Sequence, residues 1–245
     1  EMLRSLVGSE MCIRDSGSPA TQYSQAPADQ VFDINTCGIY EGREPRFYAN
    51  IVFHGSQIFF NADKGAVTVD RYLMDTPDKG DGSLTGYNVW KWIDYDNYNY
   101  PYAGASSPDF STNWIILRYA EIYLNDAEAR LETGDVEGAR KAVNVIRQRV
   151  GLPALTESDP AKLRELIRKE RRIEFAFEEQ RFYDVRRWKV GPETQTTLHG
   201  VRFVSPTEFK ITKTDIRTWN DRLYLTPIPH DEIVRSSVLT QNPGY

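Results

Sequence analysis

RYAEIYLNDAEA (residues 118–129), a Gly-Asp junction at Gly134 and Asp135, and ERRIEFAFEEQRFYDVRRW (residues 170–188) lie within one stretch, residues 117–188. Leu117, Ala120, Leu124, Ala127 and Leu131 recur at steps of three and four, so they share one face of a helix expected over residues 113–133. Gly134 closes that helix, because glycine takes the left-handed closing conformation without steric cost. Asp135 then caps a second helix by accepting the free amides of its first turn. The second helix keeps its period through Val136, Ala139, Val143, Ile146 and Val150, and Gly151 stops it. A third helix is expected from Pro160 to about Tyr183. Two antiparallel helices with alanines at the crossing, Ala127 and Ala139, follow tetratricopeptide-like logic. One such pair leaves faces unburied and needs neighbours.

The third helix carries charge where a core stripe should run. Its apolar face would read Leu163, Leu166, Glu170, Ile173 and Phe177. An unpaired carboxylate at Glu170 would cost several kcal/mol, on the order of the penalty for any buried uncompensated charge. Glu170 is therefore expected to meet an arginine, with Arg118 and Arg147 the candidates on the preceding helices. Glu174 and Glu178 follow at four-residue steps and would repel one another unless arginines stand between them. Arg181, Asp184 and Arg187 complete the expected ion-pair network, since the planar arginine fork binds carboxylates bidentately. A glycosidase-type acid/base pair is the competing reading of these carboxylates. Crowding by arginine lowers every carboxylate pKa and argues against it.

Outside this stretch the sequence bounds the protein more loosely. Its 245 residues, 40% hydrophobic and 27% charged, suffice for a sizeable core, and the net charge of −5 gives no reason to expect a nucleic-acid partner. Cys12 and Cys37 are too few for a disulfide framework. No run is long enough to span a bilayer, and the N-terminus lacks the order of a signal peptide. Residues 1–16 have no helical or strand period and resemble translated adapter sequence, so they are set apart from the fold. Residues 17–38 read as loop. Residues 47–53 are compatible with a short helix or a strand, and Gly55 breaks them. Residues 61–84 form a polar connection, residues 206–226 a loop or short strand, and a last short helix should start near Pro229. The domain division is thus 17–112 irregular and aromatic-rich, 113–190 helical core, and 191–245 C-terminal loops with a short helix.

With these residues in view, the chain resembles the SusD/RagB family, outer-membrane glycan-binding lipoproteins of Bacteroidetes. The resemblance rests on Arg118-Tyr119-Ala120-Glu121 with Leu124, Ala127, Glu128 and Ala129, then on Ile146-Arg147 with Gly151. It continues in Glu170-Arg171-Arg172-Ile173-Glu174 running on to Arg181, Asp184, Arg187 and Trp188. Upstream, Arg43-Glu44-Pro45-Arg46-Phe47 is similar to the family's "DPR" segment, with Glu44 in place of Asp. Gly86-Tyr87 with Lys91 and Trp92 is similar to its "GY…RK" strand. Pro227-Ile228-Pro229, Glu232-Ile233 and residues 241–245 resemble its C-terminal signature. The resemblance implies a mainly α, non-catalytic, SusD-like scaffold of tetratricopeptide-like pairs with a large irregular loop-rich subdomain, here N-terminally truncated. It also implies a protein held at the extracellular face of the outer membrane by an N-terminal lipid. There it would partner a TonB-dependent (SusC-like) transporter that imports oligosaccharide. The lipidated cysteine has no counterpart in Cys12 or Cys37.

A glycan ligand directs attention to residues 87–102, where Tyr and Trp alternate with Asn and Asp. Aromatic faces stack on the C–H patches of sugars, and amides and carboxylates bond their hydroxyls. Trp90 and Trp92 share one face of an extended segment and read as core. Tyr95, Asn97, Tyr98, Asn99, Tyr100 and Tyr102 lie in a Pro- and Asn-containing loop and are the ligand-binding candidates. Tyrosines that merely cover the helix stack are the competing reading. His54, His199 and His230 show no metal-ligand spacing, and no phosphate loop or nucleophile elbow is present, so no metal, cofactor or catalytic residue is assigned. A helical-repeat scaffold for a protein or peptide is the second function class, and a glycoside hydrolase the third.

Overall fold

The structure is a computed structural model that describes residues 30–59, 66–74, 83, 85–93, 113–195, 197–236 and 238–245. Three helices build its central layer: α4 (Tyr119–Glu132), α5 (Val136–Arg149) and α6 (Pro160–Glu174). Their ends are set by local chemistry. Gly134 takes φ +89°, the Asp135 carboxylate accepts the Gly138 amide at 2.8 Å, and Gly151 takes φ +72°. Asp159 accepts the amides of Ala161 and Lys162 at 2.8 and 3.0 Å, and Pro160, lacking an N–H that would need a partner, opens α6. Between them lies a core of Leu124, Ala127, Leu131, Ala139, Val143, Ile146, Leu163, Ile167 and Phe175. Each buried Leu or Ile contributes about 1.5–3 kcal/mol relative to exposure.

A second core joins α1 (Ile34–Cys37) and α2 (Pro45–Asn50) to an antiparallel sheet of order β1-β7-β6. The sheet strands are β1 (Val31–Asp33), β6 (Thr197–Phe203) and β7 (Glu208–Ile216). Phe47, Ile51, Tyr87, Phe177, Val201, Phe203 and Phe209 fill this core. Two small ribbons pair β2 (Ile51–Val52) with β5 (Asn88–Val89), and β3 (Gln57–Phe59) with β4 (Ala66–Thr68); α3 (Arg71–Met74) follows β4. Val52, Ile58, Val69 and Trp90 form a third cluster there. Gly86, at φ +77°, lies so close to β6 that a Cβ would collide with the Val201 carbonyl, so glycine is required between Thr85 and Tyr87. Near the C-terminus α8 (His230–Arg235) starts after Pro229 with Asp231 and Glu232 in its first turn, as the sequence predicts.

Several expectations change, among them the loop at residues 17–38, which holds β1 and α1, and the polar connection at residues 61–84, which holds β4 and α3. The first helix begins at Tyr119 rather than at residue 113. Arg118 stays extended (φ −148°, ψ 157°) because its side chain is drawn toward α6, and Leu117 is left 76% exposed. Ile116, Tyr119 and Ile122 are exposed beside it. The third helix is two helices, α6 and α7 (Gln180–Arg187), separated by left-handed residues Phe177 (φ 66°) and Glu179 (φ 63°). That break lets Phe175 enter the helical core while Phe177 enters the sheet core. The α6 stripe uses Ile167, fully buried, where Leu166 was expected. Residues 47–53 prove to be both helix and strand, and residues 206–226 contain a nine-residue strand rather than a loop or a short strand.

Candidate functional site

The chemistry-bearing side chains converge where α6 ends. Glu170 and Glu174 stand one turn apart on α6, each only 2% exposed, and Glu178 lies in the turn beyond. Arg147, near the end of α5, donates to Glu170 Oε2 at 2.8 Å. Arg46 Nη1 sits 2.8 Å from Glu170 Oε1 as an ion pair, off the line of a hydrogen bond, and donates to Glu174 Oε2 at 2.8 Å. The rest of the Arg46 fork closes on Glu44, from Nε at 3.0 Å and Nη2 at 2.8 Å.

Arg118 joins the other two carboxylates. Its Nη1 donates to Glu174 Oε1 at 2.5 Å, and its Nε and Nη2 form a fork on Glu178 at 2.6 and 2.9 Å. Arg149 adds a bond to Glu174 Oε1 at 2.6 Å. Lys91 donates to Glu178 Oε1, and also to the Glu174 and Ala176 carbonyls at 3.2 and 3.0 Å. Arg118 Nη2 reaches the Glu174 carbonyl as well, at 2.8 Å. Two cations therefore hold the Glu174 carbonyl at the negative end of α6, and Lys91 also holds that of Ala176 in the turn beyond.

A second cluster ties α6 to α7 and α4. Arg171 Nε donates to both oxygens of Asp184 at 2.9 and 2.8 Å, and its Nη1 to Asn125 at 2.8 Å. Arg187 bonds Asp184 at 2.9 Å and forks onto Glu128 at 2.5 and 2.7 Å, where the Trp188 indole N–H also donates at 2.8 Å.

Of the residues expected in the network, Arg118, Arg147, Glu170, Glu174 and Glu178 come together in the first cluster, and Asp184 and Arg187 in the second. Glu170 meets Arg147, one of its two expected partners; Arg118 goes to Glu174 and Glu178 instead. Arg181 differs. Among the described residues it has no carboxylate within ion-pair distance, and burial pushes its pKa down against the opposing charges of Asp184 and Glu193. Sequence reasoning gave no network role to Arg46, Lys91 or Arg149. The signal for Arg46 and Lys91 was present in their motifs, but their partners lie 128 and 87 residues away.

The electrostatics follow from this crowding. Burial alone would push the Glu174 carboxyl up. The hydrogen bond and charge of Arg118, joined by Arg46 and Arg149, outweigh burial and hold the group below its ordinary value. Burial works against the Arg46 and Arg118 charges too, and their carboxylate partners again prevail, raising both. A carboxylate held ionised by three arginines has no proton to give and little basicity. The arrangement suits cross-linking and recognition rather than proton transfer.

Beside this network opens a cleft of about 500 Å³, lined among others by Arg46, Asn50, Lys91, Ile115, Arg118, Arg149 and Val150. Near it, the Trp92 indole N–H donates to the Phe177 carbonyl at 3.1 Å, and its ring stacks on Trp114 (centroids 4.6 Å apart, 18° between planes). Trp90 is buried in the third core, and Trp92 packs against the second. Trp114, which the sequence reading passed over, is more than half exposed. The ligand candidates Tyr95, Asn97, Tyr98, Asn99, Tyr100 and Tyr102 lie outside the described residues, as do residues 1–29. His54 is occupied structurally: its Nδ1 accepts the Arg71 amide at 3.1 Å and its ring stacks on Phe203.

A fold of antiparallel helices cross-linked by these arginine–glutamate forks, with a side sheet and ribbons, is that of the SusD proteins. The SusD family model matches residues 16–245, and the chain belongs to that family. Among curated proteins it is 36% identical over 154 residues to SusD-like protein P2 of Formosa agariphila, an alignment spanning 58% of this chain and 28% of that one. Among solved structures it matches a SusD-like protein from Bacteroides fragilis NCTC 9343 with TM-score 0.88 and 90% identity, over 99% of this chain and 46% of the other. A second B. fragilis structure, described as a SusD-like carbohydrate-binding protein, matches with TM-score 0.61 and 26% identity over 85% of this chain and 42% of that one. The chain thus spans less than half the length of these relatives. No helix among the described residues is long and apolar enough to cross a membrane.

Proposed function

We propose that the protein captures oligosaccharide at the outer surface of a bacterial outer membrane and hands it to a TonB-dependent, SusC-like transporter, without cleaving it. The observation that carries this reading is the stacked Trp92–Trp114 pair. Its two members flank residues 95–102 in sequence, and it leaves one indole more than half exposed. A half-exposed indole is the flat π face on which a sugar ring stacks, and the sequence between the two tryptophans supplies tyrosines and amides suited to its hydroxyls. A carbohydrate-binding relative supports the ligand class. The saturation of Glu170, Glu174 and Glu178 by arginine and lysine supports a binding role over hydrolysis. Attachment by an N-terminal lipid and the transporter partner belong to this reading.

Calorimetric titration of the purified protein with a panel of oligosaccharides tests the proposal. Saturable binding without product release is expected, reduced at least about tenfold in Trp114→Ala and in Tyr95→Ala, Tyr98→Ala or Tyr100→Ala, on the order of one stacking contact each. Affinity unchanged in all four variants removes the aromatic site. Release of shorter sugars by the protein removes the non-catalytic reading. Co-purification of a peptide partner with no sugar binding favours a helical-repeat scaffold.

A further inference from the structure

The cleft beside the network holds two groups whose hydrogen-bonding capacity the network does not exhaust. Four cations (Arg46, Lys91, Arg118 and Arg149) but only two carboxylates (Glu174 and Glu178) line it. The Arg46 fork is closed on Glu44 and Glu174, the three Lys91 donors on Glu178 and two carbonyls, and all the Arg118 nitrogens on Glu174 and Glu178. Arg149 is different. Its one bond runs from Nη2 to Glu174 Oε1, an oxygen that Arg118 already satisfies, and its side chain is 56% exposed. Its Nε and Nη1 are unengaged among the described residues. The second group is Asn50. It is 8% exposed and lines this cleft, and its side-chain amide makes no hydrogen bond among the described residues. The amide atoms keep solvent access, so a ligand hydroxyl entering the cleft can reach them.

We propose that this cleft is a subsite for a singly charged anionic sugar, held by the fork of Arg149 once its Nη2 turns from Glu174 to the ligand, with the Asn50 amide bonding a neighbouring hydroxyl. The anionic group is a uronate carboxylate or a sulfate ester, since both present the paired oxygens that a guanidinium fork binds. Ile115 and Val150 supply the apolar wall that a sugar's C–H face needs, and Ile115 directly follows Trp114, so the cleft adjoins the exposed indole. Glu174 keeps Arg46 and Arg118 when Arg149 turns to a ligand, and the network stays closed. This inference rests on the capture reading and narrows its substrate class to acidic glycans.

The test is calorimetric titration of the purified protein with three oligosaccharides of equal length: one bearing uronates, one bearing sulfate esters, one neutral. One anionic arm is expected to bind at least about tenfold tighter than the neutral arm, in a salt-sensitive way, and the tighter arm identifies the group. Arg149→Gln and, independently, Asn50→Asp should lower that anionic affinity about tenfold and leave the neutral affinity unchanged, with thermal melts confirming that both variants fold. Equal affinity in all three arms overturns the subsite, as does an Arg149→Gln loss shared equally by neutral and anionic sugars. Neutral binding that depends on Trp114 but not on Arg149 keeps the capture reading and discards the subsite. Absence of binding in every arm discards both.

Discussion

At the scale of single residues, Glu174 is the hub. Its two oxygens receive three arginines from three parts of the chain: Arg46 at 2.8 Å, Arg118 at 2.5 Å and Arg149 at 2.6 Å. Removing it leaves Arg46 partly uncompensated in a buried site. Glu174→Ala should therefore lower stability by about 3–5 kcal/mol. Arg149→Ala removes only the exposed partner and should cost about 1 kcal/mol or less. Urea unfolding midpoints of the two variants give the comparison, and equal losses would show that the hub is no hub. Acid should reveal the same residue. The folded-state pKa of Glu174 lies below its ordinary value of 4.5, so its contribution is complete above that value and is lost as pH falls through the folded one. Stability followed from about pH 7 to about pH 3 should fall more steeply in the parent than in Glu174→Gln. Parallel curves would assign acid sensitivity elsewhere, with Glu128, also held low by Arg187 and Trp188 against its burial, the next candidate.

At the scale of elements, the break between α6 and α7 does most to shape the molecule. Phe177 and Glu179 both adopt left-handed backbone, which costs a non-glycine residue roughly 1–2 kcal/mol. For Phe177 the burial of its ring in the sheet core offsets the strain. Glu179 is exposed and has no such offset. Glu179→Gly should raise the unfolding midpoint, by on the order of 1 kcal/mol, and a lower midpoint would show that the carboxylate carries an interaction the geometry does not suggest. The break was not legible in the sequence, because residues 170–183 keep a helical period and contain neither glycine nor proline. What ends the helix is the competition between two cores for Phe175 and Phe177, and that is tertiary. The helix ends at Gly134, Asp135, Gly151 and Pro160 were legible because their chemistry is local. The β6–β7 hairpin was obscured differently: a register shift between Leu198 and His199 disrupts the alternation that marks a strand.

At the scale of the whole molecule, the charged pattern on α6 was readable as a network but not as one that reaches upstream. Arg118 and Arg147 sit within the helical stretch and could be named from spacing. Arg46 and Lys91 come from the irregular region, where no period predicts a contact, so half of the cleft was invisible until the chain was folded. The helical hairpin of α4 and α5, by contrast, needs only neighbours in sequence, and its core residues Leu124, Ala127, Ala139 and Val143 were visible from the start. These differences in range have a consequence in time. Contacts between near neighbours close early, whereas loops of 128 and 87 residues close late. Burying Arg46 before Glu170 and Glu174 are in place would leave its Nη1 side without solvent or partner, with Glu44 alone as counter-charge, so its insertion belongs after the folding barrier. Arg46→Ala should accordingly speed unfolding severalfold and leave the folding rate nearly unchanged, as the two limbs of a denaturant chevron would show; a slowed folding limb would place Arg46 in the nucleus. The arginine of the Glu44–Arg46 segment would then act as a latch, setting how long the native state lasts rather than how quickly it is reached.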